Sequence, residues 1–132
     1  MPFAARMTDQ VTGTDIHILL IATPGGPVPT PVPHPFAGQI TSGCSPDVLI
    51  GGQPAAVVGA TAQCLPPHVP QGGPFSVPPT NRGTIMPPGS PMVLINGKPA
   101  ARVGDQVMTC NDPAPAPTST ITGPGAPTVI IA

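Results

Sequence analysis

The apolar residues of this chain fall in short runs rather than along a helical stripe. Residues 18–22 read ILLIA, residues 48–50 and 93–95 both read VLI, and residues 129–131 read VII. No window of helical length is both periodic in apolar residues and free of Pro or Gly, which argues against a helical bundle. Residues 90–105, SPMVLINGKPAARVGD, start as a strand of apolar and small residues and turn at Asn96-Gly97. They then run through Ala100-Ala101-Arg102 to a stop at Gly104-Asp105. Asn-Gly between two such runs is a strong short-hairpin signal. The expected class is all-β, built from hairpins.

The same piece recurs upstream as SPDVLIGGQPAAVVGA, residues 45–60, at a constant offset of 45. That register pairs Gly52 with Gly97, Pro54 with Pro99, Ala55-Ala56 with Ala100-Ala101, and Gly59 with Gly104. The chain opens on the second half of a further copy, Ala4-Ala5-Arg6-Met7-Thr8-Asp9, and closes on its first half, Ala126-Pro127-Thr128-Val129-Ile130-Ile131. Three units are therefore present, one of them split between the termini. An open array would need polar capping repeats; complementary terminal halves instead predict closure, with residues 3–7 pairing against 128–131. The expected body has three β-hairpin units in pseudo-threefold arrangement, joined by loop-rich Pro/Gly connections, as a single domain over residues 1–132.

Composition bears on order and on stability. With 24 Pro and 16 Gly in 132 residues, disorder has to be weighed. The apolar runs and a charged fraction of only 7 % favour an ordered, loop-rich β protein. Its core must be thin, because there is no Trp or Tyr and the three Phe are Phe3, Phe36 and Phe75. So small a core calls for a staple or a partner. Net charge is −1, and Arg6, Arg82, Lys98 and Arg102 cannot form a basic patch, which disfavours nucleic acid and anionic membrane as partners. The start MPFAARMTDQ lacks signal-peptide character, and ILLIA is too short to span a bilayer, so synthesis and folding in the cytoplasm are expected. Three cysteines, an odd count in a reducing compartment, point to metal binding or burial rather than a disulfide framework.

The candidate chemistry lies in the Pro/Gly-rich connections between units, read here as linkers outside the strands. The first holds His17 and His34, the second Cys64 and His68, the third Cys110. His17 follows Asp9 by eight residues, His68 follows the equivalent Ala60 by eight, and Cys110 follows Asp105 by five. Each unit thus delivers a ligand type at a comparable point, with His34 as a fourth. Three imidazoles and a thiolate make a closed tetrahedral zinc set, structural rather than catalytic, and zinc would be the missing staple. Two other readings stand beside it: solvated loop histidines, and Cys64 as the thiolate in a C-x3-H pair with His68. Cys44 reads as a packing residue. Little supports catalysis. The five carboxylates, Asp9, Asp15, Asp47, Asp105 and Asp112, look scattered, and no Glu, G-x-S-x-G elbow or phosphate loop is present. A hydrolytic zinc site would also want an open position and a base.

MPFAARMTD, SPDVLIGGQPAAVVG and SPMVLINGKPAARVGD together resemble the PAAR-repeat proteins, named for a proline-alanine-alanine-arginine motif. The motif is complete at Pro99-Ala100-Ala101-Arg102, partial at Pro54-Ala55-Ala56-Val57 and shifted at Phe3-Ala4-Ala5-Arg6; Val57 and Ala60 depart from it in the middle copy. The resemblance implies a small conical β fold that caps the trimeric β-helical spike, VgrG-like or phage-spike-like, of a contractile injection machine. Such machines include type VI secretion systems, phage-tail-like particles and phage tails. It implies a structural zinc near the tip, carried over here to His17, His34, His68 and Cys110. It implies transient contact with a target membrane and effector proteins as further partners. Assembly at the particle tip, then release or delivery into a target cell, would follow. With its last strand ending near Ala132, the chain reads as a bare tip rather than an effector. The other classes kept in view are a small zinc hydrolase and a free-standing binding module.

Overall fold

The computed structural model describes residues 2–70, 72–112 and 114–131, and among them there is no helix. Ten strands follow in chain order: β1 (Gln10–Thr23), β2 (Gly26–Ser42), β3 (Leu49–Ile50), β4 (Gln53–Pro54), β5 (Thr61–Cys64), β6 (Arg82–Ile85), β7 (Leu94–Ile95), β8 (Lys98–Pro99), β9 (Gln106–Thr109) and β10 (Ala116–Gly123). Six of them close an antiparallel barrel in the order β1-β10-β9-β6-β5-β2, while β3–β4 and β7–β8 are separate two-stranded hairpins. These two hairpins are the ones expected from VLIGGQP and VLINGKP. Their turn residues take positive φ, 59° and 84° at Gly51-Gly52, 54° and 80° at Asn96-Gly97, as a turn matched to the strand twist requires.

The alanine pairs knit the units together. Ala5 N–H donates to the Ala101 carbonyl (3.0 Å), Ala101 N–H to Ala56 (2.9 Å), and Ala56 N–H back to Ala5 (3.0 Å), a closed cycle of three backbone hydrogen bonds. A second cycle runs beside it: Met7 to Pro54, Val58 to Pro99 and Val103 to Phe3, each 2.9 Å. All three central alanines are at most 1 % exposed, so the crossing leaves room for nothing beyond a methyl. The split unit closes through Phe3 and Ala4, as its pattern predicts, whereas Ala5, Arg6 and Met7 pair with the other two units and not with residues 128–131. Phe3 bridges Ile130, and Ala4 N–H donates to Val129 (3.0 Å) as Ala55 does to Val48 (2.9 Å) and Ala100 to Val93 (3.0 Å).

Beyond the alanine cycle, the barrel fills by strict alternation. Val11, Ile40, Ala62, Ile85, Val107 and Ile121 point inward as one apolar cluster. Where the barrel narrows further on, glycines replace side chains. A Cβ at Gly38 would lie 2.2 Å from the Gln63 carbonyl oxygen, and one at Gly13 would lie 2.3 Å from that of Thr118. Neither obstacle is a flexible side-chain end, so the strands themselves would have to part. Gly38→Ala is expected to cost about 1–3 kcal/mol in denaturant unfolding; unchanged stability would mean that β2 and β5 separate freely.

The connections do not remain loops, and here the sequence reading is corrected. His17 lies on β1 and His34 on β2, because the first connection is the longest hairpin in the molecule, paired without interruption from Gln10↔Gln39 to Thr23↔Gly26. The prolines that suggested a loop occupy alternate positions, Pro27, Pro29, Pro31, Pro33 and Pro35. Residues alternate in the edge toward which their N–H points, so the intervening Val28, Thr30, Val32, His34 and Phe36 supply every donor to β1. The prolines face the open edge, where a missing N–H breaks no ladder. Residues 73–76 flank the other side of this hairpin, with Leu20 N–H on Pro74 (2.9 Å) and Ser76 N–H on Ile18 (2.8 Å).

Candidate metal centre

Alternation along β1 buries Asp15 and His17 on the same inward face, and along β2 it buries His34 in register with Asp15. His68 arrives on the loop after β5, anchored where its N–H meets the Asn81 side-chain oxygen (2.9 Å). Cys110 follows β9. The next two residues clamp it to β1: Asn111 Oδ1 accepts from Ile16 N–H (2.6 Å), Asp112 Oδ2 accepts from Ile18 N–H (3.0 Å), and Asp112 N–H donates to Ile16 (2.7 Å).

The four residues singled out from sequence converge. Ring centroids lie 4.8 Å apart for His17 and His68, 5.4 Å for His17 and His34, and 5.8 Å for His34 and His68. Cys110 Sγ is 3.8 Å from His17 Nε2. One donor atom from each of Asp15, His17, His68 and Cys110 falls within a 4.8 Å span, a group able to hold a metal ion. His34 lies just outside that tightest group, yet its Nδ1 is engaged by the Val32 carbonyl (2.9 Å) while its Nε2 is buried without a hydrogen-bond partner. A buried imidazole nitrogen with no partner is costly unless something not shown here binds it. With a soft thiolate and imidazoles on hand, the donor set suits a metal of zinc's kind.

Apolar walls set the electrostatics. Phe75 packs 5.6 Å from the rings of both His17 and His34, and Phe36 lies 6.1 Å from His68. Burial pushes the Cys110 thiol up to about 11, with the Asp15 charge adding to the rise. Burial also lowers His68 against the opposing pull of Asp15. A bound dication would reverse this for the thiol by binding the thiolate directly.

Of the remaining sequence candidates, Cys64 turns away. It lies in the barrel core, and its thiol donates to the Pro66 carbonyl (3.4 Å). Cys44 packs partly buried against that core, as expected, and all three cysteines are free thiols. Two carboxylates that looked scattered belong to the site: Asp15, completely buried, and Asp112, whose Oδ2 is 3.4 Å from His17 Nδ1. The signal for Asp15 was its spacing, two residues before His17, which has meaning only on a strand.

Comparison with known families matches residues 76–132 to the PAAR motif. The match supports a PAAR-repeat protein. Comparison with curated proteins gives no match. The matched segment contains Pro99-Ala100-Ala101-Arg102, and the PAAR arginine there is tied to the aspartate three residues on, its guanidinium 3.0 Å from Asp105 and its N–H 2.7 Å. The amino-terminal PAAR unit repeats the backbone bond, Arg6 N–H to Asp9 (2.7 Å). The middle unit, with Val57 and Ala60, keeps only the turn itself: Ala60 N–H donates to Val57 (3.0 Å), as Asp9 does to Arg6 (3.1 Å) and Asp105 to Arg102 (3.0 Å). Backbone geometry thus survives the loss of the charged pair.

Proposed function

We propose that this PAAR protein caps and sharpens the end of a trimeric β-helical spike in a contractile injection system, with a structural zinc stiffening its apex for membrane piercing. The observation that carries the reading is a threefold recurrence of exposed apolar side chains. Leu49, Leu94 and Ile130 occupy the same position in the three units and are 63 %, 66 % and 56 % exposed. Single exposed apolar residues are ordinary, but three at one repeat position mark an interaction surface. The cyclic backbone bonds of the alanine pairs link the three units that carry these residues, and a trimer would offer three matching edges. Unpaired strand ends on such a trimer need covering.

The metal centre belongs to the other end of the barrel. His17 is seven residues beyond Gln10 on β1, about 23 Å further along an extended strand. His17, His34, His68 and Cys110 would hold zinc there, and the metal would supply a cross-link between the β1–β2 hairpin, the loop after β5 and the segment after β9. Their set is complete with four donors, which suits a mechanical role rather than catalysis. The protein would travel at the particle tip and leave the producing cell with it. Native mass spectrometry of the chain mixed with its cognate spike should find one copy per spike trimer. A three-to-three complex, or a stable homotrimer of this chain alone, would refute the cap.

A further inference from the structure

We propose that Asp15 is a positioning residue of the metal centre, holding His68 by one ring nitrogen and supplying the negative charge that offsets the bound cation. The proposal rests on the zinc reading above and extends it to a residue outside the four ligands.

Asp15 is 0 % exposed, and among the described residues no Lys or Arg pairs with it. A carboxylate so placed is costly unless hydrogen bonds and a positive charge compensate it. Its two oxygens are used differently. Oδ1 accepts from the hydroxyls of Thr109 (2.5 Å) and Thr118 (2.7 Å), and Thr109 is in turn braced by Ser119 (3.3 Å). Oδ2 faces the donors, 3.3 Å from His68 Nε2 and 3.6 Å from the Cys110 thiol. One oxygen is anchored to the barrel wall and the other is aimed at the centre.

All three imidazoles are tethered through a single nitrogen. His17 Nδ1 faces Asp112, His34 Nδ1 the Val32 carbonyl, and His68 Nε2 faces Asp15. The nitrogens left over are His17 Nε2, His34 Nε2 and, by elimination, His68 Nδ1. Fixing one nitrogen with an acceptor sets both the tautomer and the ring plane offered to a metal. Charge gives the second argument. A dication with one thiolate and three neutral imidazoles carries a net positive charge between Phe36 and Phe75, and Asp15 cancels it.

The test is Asp15→Asn in the full chain, which keeps the shape, removes the charge and turns an amide N–H toward His68. Zinc affinity is read by competition with a chromophoric chelator, and the ligand set by the absorption bands of the cobalt-substituted protein. The expected result is a 10- to 100-fold weaker affinity, roughly the range for lost outer partners of metal ligands. Cobalt bands should stay in place, and the chelator-stripped variant should melt no lower than stripped wild type. Unchanged affinity would overturn the proposal. Shifted cobalt bands would overturn it too, by making Asp15 a direct ligand, and a lower melting point of the stripped variant would reassign the residue to the fold. Should Asp15→Asn fail to fold, Thr118→Val loosens the Oδ1 anchor without touching a donor. A smaller loss of affinity is then expected, and none would count against the role. A wild-type chain that takes up no zinc would overturn the centre and this role together, whereas a zinc-binding wild type with an unaffected variant overturns the role alone.

Discussion

Cys110→Ser should reduce bound zinc from one per chain to nearly none and lower the melting temperature by on the order of 10–20 °C. The size follows from linkage. A metal that binds only the folded state at a thousandfold excess over its Kd contributes about 4 kcal/mol. For a chain of this length each kcal/mol shifts the midpoint by roughly 3–5 °C. The effect is large because a single ion would join the β1–β2 hairpin, the loop after β5 and the segment after β9 at one point. Chelator-treated wild type should melt where Cys110→Ser melts. Cys64→Ser should keep its zinc, since the Cys64 thiol is turned to the Pro66 carbonyl. Elemental analysis with thermal unfolding decides it; full metal content in Cys110→Ser, or its loss only in Cys64→Ser, would reassign the thiolate.

Replacing Leu49, Leu94 and Ile130 together by Asp should weaken spike binding by about a thousandfold or more and leave the fold untouched. Each side chain carries roughly 1.5–3 kcal/mol of burial if it becomes covered, about 4.5–9 kcal/mol over the three, and a thousandfold corresponds to about 4 kcal/mol. All three are exposed in the isolated chain, so the melting temperature should not move. Wild-type affinity should vary little with salt, because an apolar interface has few charges to screen. Calorimetry on the single variants gives the finer reading. Three similar losses would fit a trimer engaged on three equivalent edges; one dominant loss would place the contact on a single face.

What could be read from the sequence followed the physics of its punctuation. Gly51-Gly52 and Asn96-Gly97 were legible because positive φ admits few residues, and Ala55-Ala56 and Ala100-Ala101 because their spacing from those turns is fixed. The terminal pairing followed from the same register. By contrast, the barrel was hidden. Its six strands are the connections between the legible units, and their pattern is interrupted by Gly13, Gly38 and Gly83, which close packing requires but which read as breakers. The β1–β2 hairpin was masked by five prolines whose period of two, in hindsight, marks an edge. His17, His34, His68 and Cys110 could be nominated because imidazoles and thiols are few here, and the structure draws them together. Asp15 could not, since a lone carboxylate declares nothing until the strand beneath it shows which way it faces.

The cyclic bonding of the alanine pairs also constrains how the chain acquires its structure. Ala5 waits for Ala56 and Ala101, and Phe3 for Ile130, so residues at one end of the domain are completed by residues more than a hundred positions on. Contacts this distant in sequence pay their loop entropy before they return any stability, and folding is slow in proportion. Once the cycle is shut, no unit can peel away by itself, because each is held by both of the others. The same topology that delays assembly should make release of any one piece rare, a kinetic resistance to unfolding under load.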